Sequence, residues 1–276
     1  MQPNTDPRTV DGFGDEWARF DQRALDDTER QRLFDAYFRI FPWDLLKPGC
    51  TGFDAGCGSG RWASLVAPRV GVLHCVDASA KALAVAKRNL ANLPNVRFHE
   101  SSVQSMPLDA GSMDFGYSLG VLHHVPDTLS ALTSCVAKLK KGAPFLCYLY
   151  YRFDGRPAWF RALWAASDTG RRMISRLPPV AKHAVAELIA LGVYFPLARV
   201  AKAAERLGRD VSNYPLSAYR SSTFYTMRTD ALDRFGTRLE QRFTADEIRA
   251  MMSTAGLERI RFSDEAPFWC AVGFRA

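Results

Sequence analysis

The sequence predicts an α/β fold, a doubly wound and mostly parallel seven-stranded sheet with a helical insert after its fifth strand. Three observations carry this. Short apolar runs alternate with helical periodicities from Thr51 to Tyr150, and such alternation builds a parallel sheet with helices on both faces. A glycine-rich turn joins the first strand to the first helix. After a long stretch of helical periodicity, two further apolar runs close the chain. At 276 residues there is room for one such core and an elaboration, since single cores stop growing near about 250–300 residues.

The elements follow in order. Thr28–Phe41 reads as an amphipathic helix carrying Leu33, Phe34, Tyr37 and Phe38, preceded by an aromatic, glycine-containing segment from Val10 to Trp17. Strands are expected at Thr51–Ala55, Val72–Asp77, Asn95–Glu100, Met113–Ser118 and Pro144–Tyr150, with helices starting at Gly60 and spanning Ala80–Leu90 and Leu129–Leu139. Tyr151–Arg242 has helical periodicity, several prolines and no convincing strand. Thr244 with Glu247 makes a capping box for a helix over Ala245–Thr254 that Gly256 stops, and Leu257–Phe262 and Phe268–Phe274 are the closing strands. The expected divisions are 1–48, 49–150, 151–243 and 244–276.

Composition narrows the class. With 47% hydrophobic and 24% charged residues the chain reads as an ordinary soluble globular protein. No apolar run follows Met1 to serve as a signal peptide, so a cytoplasmic address is the expectation. The longest apolar stretch, Ala184–Val200, contains Glu187, Pro196 and Arg199 and reads as a poor membrane span. Six cysteines lie mostly among apolar neighbours without CxxC or His-rich spacing, and read as reduced core thiols, not zinc ligands. The net charge of +7 has its excess after residue 151, from Arg152 to Lys182, which suits an anionic acceptor or surface as well as a solvated basic face.

The chemistry is concentrated in Phe53–Arg61, where Gly56, Gly58 and Gly60 occupy the strand-to-helix turn. Glycine admits unusual backbone angles there and leaves no Cβ in the way of a ligand. The helix that follows is expected to aim its free N–H groups at that ligand. A dinucleotide fingerprint needs a third glycine at position 61, where arginine stands. Asp54 lies just inside the turn, where a carboxylate faces a cation and repels a pyrophosphate. Asp77 ends the second strand seventeen residues after Gly60, the place of an acid that accepts ribose hydroxyls.

These motifs resemble the class I S-adenosylmethionine-dependent methyltransferases, in particular the group with the methyltransferase type 11 core, over roughly Gly49–Tyr150. The resemblance implies a Rossmann-like fold and S-adenosylmethionine as cofactor. It places the methionine portion on Asp54, Gly56, Gly58 and Gly60, the ribose on Asp77, and the adenine against Ala78. Where the family often has an aspartate for the adenine amino group, Ser102 stands, with Val103 beside it. Asp114–Asp127 matches the fourth strand and its exit, implying that Ser118, Leu119 and Gly120 lie along the cofactor. The N-terminal segment looks like the family's lid, with Phe13, Trp17 and Phe20 as its candidates, and an aromatic face beside a sulfonium gains cation–π attraction. Residues 151–243 then correspond to a substrate cap.

Methyl transfer needs alignment and water exclusion more than reactive side chains. If the acceptor must lose a proton, His123 or His124 at the exit of the fourth strand is the candidate base. Tyr150, Tyr151, Tyr219 and Arg220 are candidate acceptor contacts. Some quinone-pathway relatives carry a metal site of two acids and a histidine here; Gly120 and His123 stand at the acid positions, so no metal is expected. A small-molecule acceptor, taking the methyl on oxygen, nitrogen or carbon, is the leading reading. A lipid-like acceptor with an anionic head is suggested by the apolar, basic insert. A nucleic-acid acceptor is suggested by the basic charge alone, and Gly120–His123 lacks the Asn/Asp-Pro-Pro-aromatic motif it would use. A non-catalytic cofactor-binding protein is disfavoured by the intact Asp54 and Asp77, and a nicotinamide oxidoreductase by the glycine spacing.

Overall fold

The computed structural model describes residues 4–153, 156–267 and 269–276. Seven strands form one sheet: β1 (Thr51–Ala55), β2 (Val72–Asp77), β3 (Val96–Glu100), β4 (Phe115–Leu119), β5 (Pro144–Tyr148), β6 (Leu257–Phe262) and β7 (Cys270–Arg275). Their order is β3-β2-β1-β4-β5-β7-β6. The first five pair in parallel and β7 runs antiparallel to both β5 and β6. The order reverses between β1 and β4, and open α/β sheets bind ligands outside the carboxyl ends of the strands at that switch point. The central strands are buried along their length and apolar on both faces: Phe53, Phe115, Tyr117, Phe145 and Leu146 are fully buried, as a parallel sheet covered on both sides requires.

Helices α1 (Pro7–Arg19) and α2 (Asp27–Phe38) precede the sheet; α3 (Ala63–Val66), α4 (Ala80–Asn89) and α5 (Thr128–Lys138) connect its parallel strands. Ser79 and Asp127 cap α4 and α5 by accepting the Ala82 and Ser130 amides. Then come α6 (Ala158–Ile174), α7 (Pro179–Ile189), α8 (Phe195–Arg206), α9 (Phe224–Gly236) and α10 (Ala245–Thr254). The capping box of α10 forms as its sequence indicates, with Thr244 and Glu247 each accepting the other's amide.

The chain divides into two compact units. One comprises residues up to Arg23, Arg30–Arg152 and Leu239–Ala276; the other comprises Ala24–Glu29 and Phe153–Arg238. The first holds the sheet, the second α6 to α9. Within the second, Glu29 accepts the Thr223 amide and the Thr226 hydroxyl at the start of α9.

Local element bounds differ from expectation. The aromatic segment from Val10 to Trp17 is part of α1, because Gly14 lets that helix approach α4: a Cβ there would stand 2.5 Å from the Ser79 hydroxyl. The helix after the glycine turn is a single turn, Ala63–Val66, whose first bond runs from the Ser64 amide to the Gly60 carbonyl. The fourth strand begins at Phe115, Met113 making only an isolated bridge to Leu139, and the last begins at Cys270, with Phe268 outside the described residues.

The apolar stretch of the insert is unbroken. Pro179–Arg206 is one continuous helix, long and apolar enough to cross a membrane by length and composition. Pro196 does not break it, because the helix widens to a π turn over Ala190–Tyr194 just before it; a proline cannot bond the carbonyl four residues back, and a wide turn relieves its clash with that carbonyl. Glu187 pairs with Arg228 of α9, and Arg199 donates to the carbonyls of Arg220 and Ser222. All six cysteines are free and buried.

Candidate active site

The glycine turn sits at the carboxyl end of β1, within the first unit. Gly56, Gly58 and Gly60 all have positive φ, at 84°, 54° and 78°. A Cβ at Gly56 would stand 2.4 Å from Val121, one at Gly58 2.8 Å from the Trp17 indole, and one at Gly60 2.8 Å from Leu90. Backbone angle and space therefore both demand glycine at each position. The turn is held by the Gly56 and Cys57 amides, which donate to the Val76 carbonyl, and by the Asn89 side chain, which donates to the carbonyls of Ser59 and Asp21.

Both acids end their strands here. Asp77 Oδ2 accepts the Gly58 amide at 2.8 Å and Oδ1 the Ser79 amide at 2.8 Å. Burial pushes its pKa up, and these two hydrogen bonds pull against the rise. Asp54 is 1% exposed and its Oδ2 makes no hydrogen bond. Burial raises its pKa to about 8; the neighbouring Tyr117 hydroxyl lowers it and the Asp77 charge raises it further. A desolvated carboxyl with an idle oxygen is unstable as an anion unless a cation arrives.

The remaining cofactor candidates cluster around the turn with differing engagement. Trp17, on α1, lies with its indole against Gly58. Phe13 packs on His124 at 4.9 Å between ring centres, and Phe20 is buried with the Arg19 guanidinium over its ring. Ala78 follows Asp77 and is half-buried. Ser102 caps a 3₁₀ turn over Val103–Ser105, its hydroxyl accepting the Ser105 amide. Ser118 is buried and donates to the Ala55 carbonyl at 2.8 Å, so its hydroxyl ties β4 to β1. Leu119 ends β4, and Gly120 follows with φ 79° and no atom within 4 Å of where a Cβ would stand.

The two histidines differ. His124 Nδ1 lies 2.7 Å from the Leu239 carbonyl; because a carbonyl only accepts, Nδ1 carries the proton. His123 is fully buried, neither ring nitrogen has a hydrogen-bond partner, and burial with its cationic neighbours holds its pKa well below the ordinary histidine range. Its ring lies 3.9 Å from that of Tyr150 and 4.0 Å from that of His124. Arg242 sits 4.9 Å over Tyr150 and pairs with the buried Glu240 at 2.8 Å. Tyr151 bridges to Phe243 and packs against Trp269.

Tyr219 and Arg220 belong to the second unit. There Tyr219 packs on Tyr194 at 5.2 Å, and Arg220 pairs with Glu205 at 2.8 Å. One residue that the sequence presents only as part of a helix face joins the carboxyl edge of the sheet: Tyr37 of α2 packs against Trp62 at 4.9 Å and edge-on to Tyr148 at 5.1 Å. Among the described residues no group of three or more His, Cys, Asp or Glu side chains is placed to hold a metal ion.

The residues fit a cationic nucleoside cofactor. The idle oxygen of Asp54 calls for positive charge, Asp77 offers two carboxylate oxygens at the end of β2, and the space at Gly120 accepts a ligand that a Cβ would fill.

Comparison with known proteins agrees with this geometry. Residues 53–147 match a family model described as a methyltransferase domain. A ubiquinone biosynthesis O-methyltransferase of Xanthomonas campestris is 27% identical over 185 residues, 66% of this chain and 73% of that protein. A 37.1 kDa protein encoded in a Streptomyces fradiae transposon is 29% identical over 150 residues, 52% of this chain and only 40% of that protein. In fold, the phosphoethanolamine N-methyltransferase 2 of Haemonchus contortus, solved with phosphomonomethylethanolamine and S-adenosylhomocysteine, superposes with TM-score 0.51 at 17% identity, over 93% of this chain and 44% of that one.

Proposed function

We propose that this chain, whose residues 53–147 match a methyltransferase domain, is an S-adenosylmethionine-dependent methyltransferase that transfers the methyl group to an oxygen, nitrogen or carbon atom of a small-molecule acceptor. The observation that carries the reading is the acid pair around the glycine turn: Asp54, buried with an idle oxygen, and Asp77, holding the turn through Gly58. S-adenosylmethionine, when bound, supplies a methyl group already activated by a sulfonium, so the protein's task is to bind, align and exclude water.

Asp54 and the turn would hold the cationic methionine end, and Asp77 the ribose hydroxyls. Ala78, Ser102 and Val103 would border the base, Ser102 contributing chiefly its backbone because its hydroxyl caps the next turn. Trp17, Leu119 and the Ser118 backbone would close over the cofactor; the Ser118 hydroxyl stays on Ala55. For proton removal, His123 and His124 are the two candidates. Burial keeps His123 neutral, and the Nδ1 proton that His124 donates to the Leu239 carbonyl leaves Nε2 as its accepting nitrogen. Tyr150, stacked on His123, covers the ring and must shift for an acceptor to reach it.

Relatives named for ubiquinone O-methylation and phosphoethanolamine N-methylation support a small acceptor and leave the receiving atom open. The test is a methyl-transfer assay with methyl-labelled S-adenosylmethionine against a panel of phenols, amines and phosphorylated amines. Label entering a small molecule supports the reading. Label entering only RNA, DNA or protein would overturn it.

A further inference from the structure

We propose that the insert docks on an anionic membrane surface, with the helix running from Pro179 to Arg206 lying flat in the interface. The inference stands on the second unit alone and is independent of which acceptor is methylated.

A helix on the surface of a globular protein buries its large apolar residues and exposes small or polar ones. This helix does the reverse. Ala186, Ala190, Ala198 and Ala201 are buried, together with Tyr194. Leu188, Leu191 and Val200 are 68%, 60% and 57% exposed, and Val180, Val193, Phe195 and Leu197 are exposed as well. Four of its charges turn to the protein, and Lys202 and Arg206 stand near its C-terminal end. Glu187 pairs with Arg228, Lys182 donates to the Gly236 carbonyl, Arg199 donates to the carbonyls of Arg220 and Ser222, and Glu205 pairs with Arg220. Small residues toward protein and large apolar ones outward is the arrangement of a helix whose outer medium is lipid.

Charge identifies the occupant. The apolar run is flanked by exposed Arg172 and Arg176 on one side and by exposed Arg206 and Arg209 on the other. Long basic side chains at the ends of an apolar helix reach the phosphates of an anionic leaflet while their stems stay with the acyl chains. Helix α6 adds exposed Trp159, Leu163 and Met173, with exposed Leu177 just beyond its end. The alternative of crossing the bilayer conflicts with the packing, because one face of the helix is committed to α9 through the Glu187–Arg228 ion pair and the Lys182 contact to Gly236, and to the segment before α9 through Arg199. One face on protein and the other free is the geometry of an interfacial helix, not a spanning one.

The test is co-sedimentation of the full-length protein with vesicles of phosphatidylcholine, with and without phosphatidylglycerol. The wild type is expected to sediment with the anionic vesicles and much less with the neutral ones. Leu188→Asp with Leu191→Asp, both at exposed positions, should lower partitioning by more than about tenfold. Arg206→Glu with Arg209→Glu should lower it at least about twenty-fold on anionic vesicles, from about fivefold per arginine. Circular dichroism and S-adenosylhomocysteine binding, unchanged in both variants, show that each has folded.

Three results would overturn the proposal. One is no sedimentation with either vesicle. Another is resistance of the membrane-bound protein to alkaline carbonate extraction, which indicates a span. The third is a dimer in analytical ultracentrifugation that Leu188→Asp with Leu191→Asp dissociates, which gives the face to a second copy.

Discussion

Cofactor binding should release a proton, and Asp54 sets the amount. In the empty site its carboxyl titrates at about 8, so at pH 7 about nine-tenths of the molecules hold it protonated. A cation placed against it favours the anion and draws its pKa back toward the ordinary carboxylate range. Binding at pH 7 then releases about 0.9 proton, and affinity rises close to tenfold per pH unit from pH 5.5 to 7.5 before levelling near 8. Asp77, whose pKa burial also raises, adds in the same direction. The assay is isothermal titration of S-adenosylmethionine in two buffers of different ionisation enthalpy, repeated across that pH range. Asp54→Asn should bind more weakly at pH 7.5 and lose most of the proton release. Affinity independent of pH in the wild type, or the same slope in Asp54→Asn, would refute the reasoning. The sign also fixes stability. A carboxyl raised above its unfolded value of 3.8 favours the empty fold at low pH and opposes it as pH climbs through about 8. The empty wild type should therefore lose thermal stability from about pH 4 to about pH 8 relative to Asp54→Asn, and no more above that.

Further outcomes follow from single contacts. Gly120→Ala meets no neighbour but takes a side chain into φ 79°; it should cost about 1–2 kcal/mol of stability and weaken S-adenosylhomocysteine binding in calorimetry, since the new Cβ fills the open space. Arg242→Ala leaves Glu240 buried without its 2.8 Å partner and should cost about 3 kcal/mol in urea unfolding, most of it recovered in Arg242→Met with Glu240→Leu. Thr244→Ala removes one half of the capping box and should cost about 1 kcal/mol. His74 and His99 share one proton across 2.8 Å and burial lowers both pKa values. Stability from this pair is present above pH 6.5 and is lost as pH falls below it, because the unfolded chain then binds more protons; His74→Phe should flatten the stability profile between pH 5 and 7.

The parts of the fold that were legible depend on local chemistry. Asp54 and the glycines up to Gly60 declare a turn that only glycine can make, Thr244 and Glu247 a helix start, and Asp77 a strand end. What escaped depends on partners distant in sequence. Gly14 has no evident purpose in the N-terminal segment until Ser79 is known to lie against it. Tyr37 belongs to a plain amphipathic stripe until β5 brings Tyr148 to it. Ser102 and Ser118 sit where expected, yet their hydroxyls serve neighbouring backbone, which sequence position alone does not reveal. Glu187, Pro196 and Arg199 look like interruptions of an apolar run, and only α9 and the π turn show that the helix absorbs them.

The central claim is that the acid-flanked glycine turn is an S-adenosylmethionine site, and calorimetric titration of the purified protein with S-adenosylhomocysteine, S-adenosylmethionine and NAD tests it most directly. Both adenosyl ligands should bind and NAD should not. Asp77→Ala, which loses the acceptor of the Gly58 and Ser79 amides along with the ribose contacts, should weaken binding by at least about a hundredfold. Binding of NAD alone, of none of the three, or adenosyl affinity that survives Asp77→Ala unchanged would contradict the account.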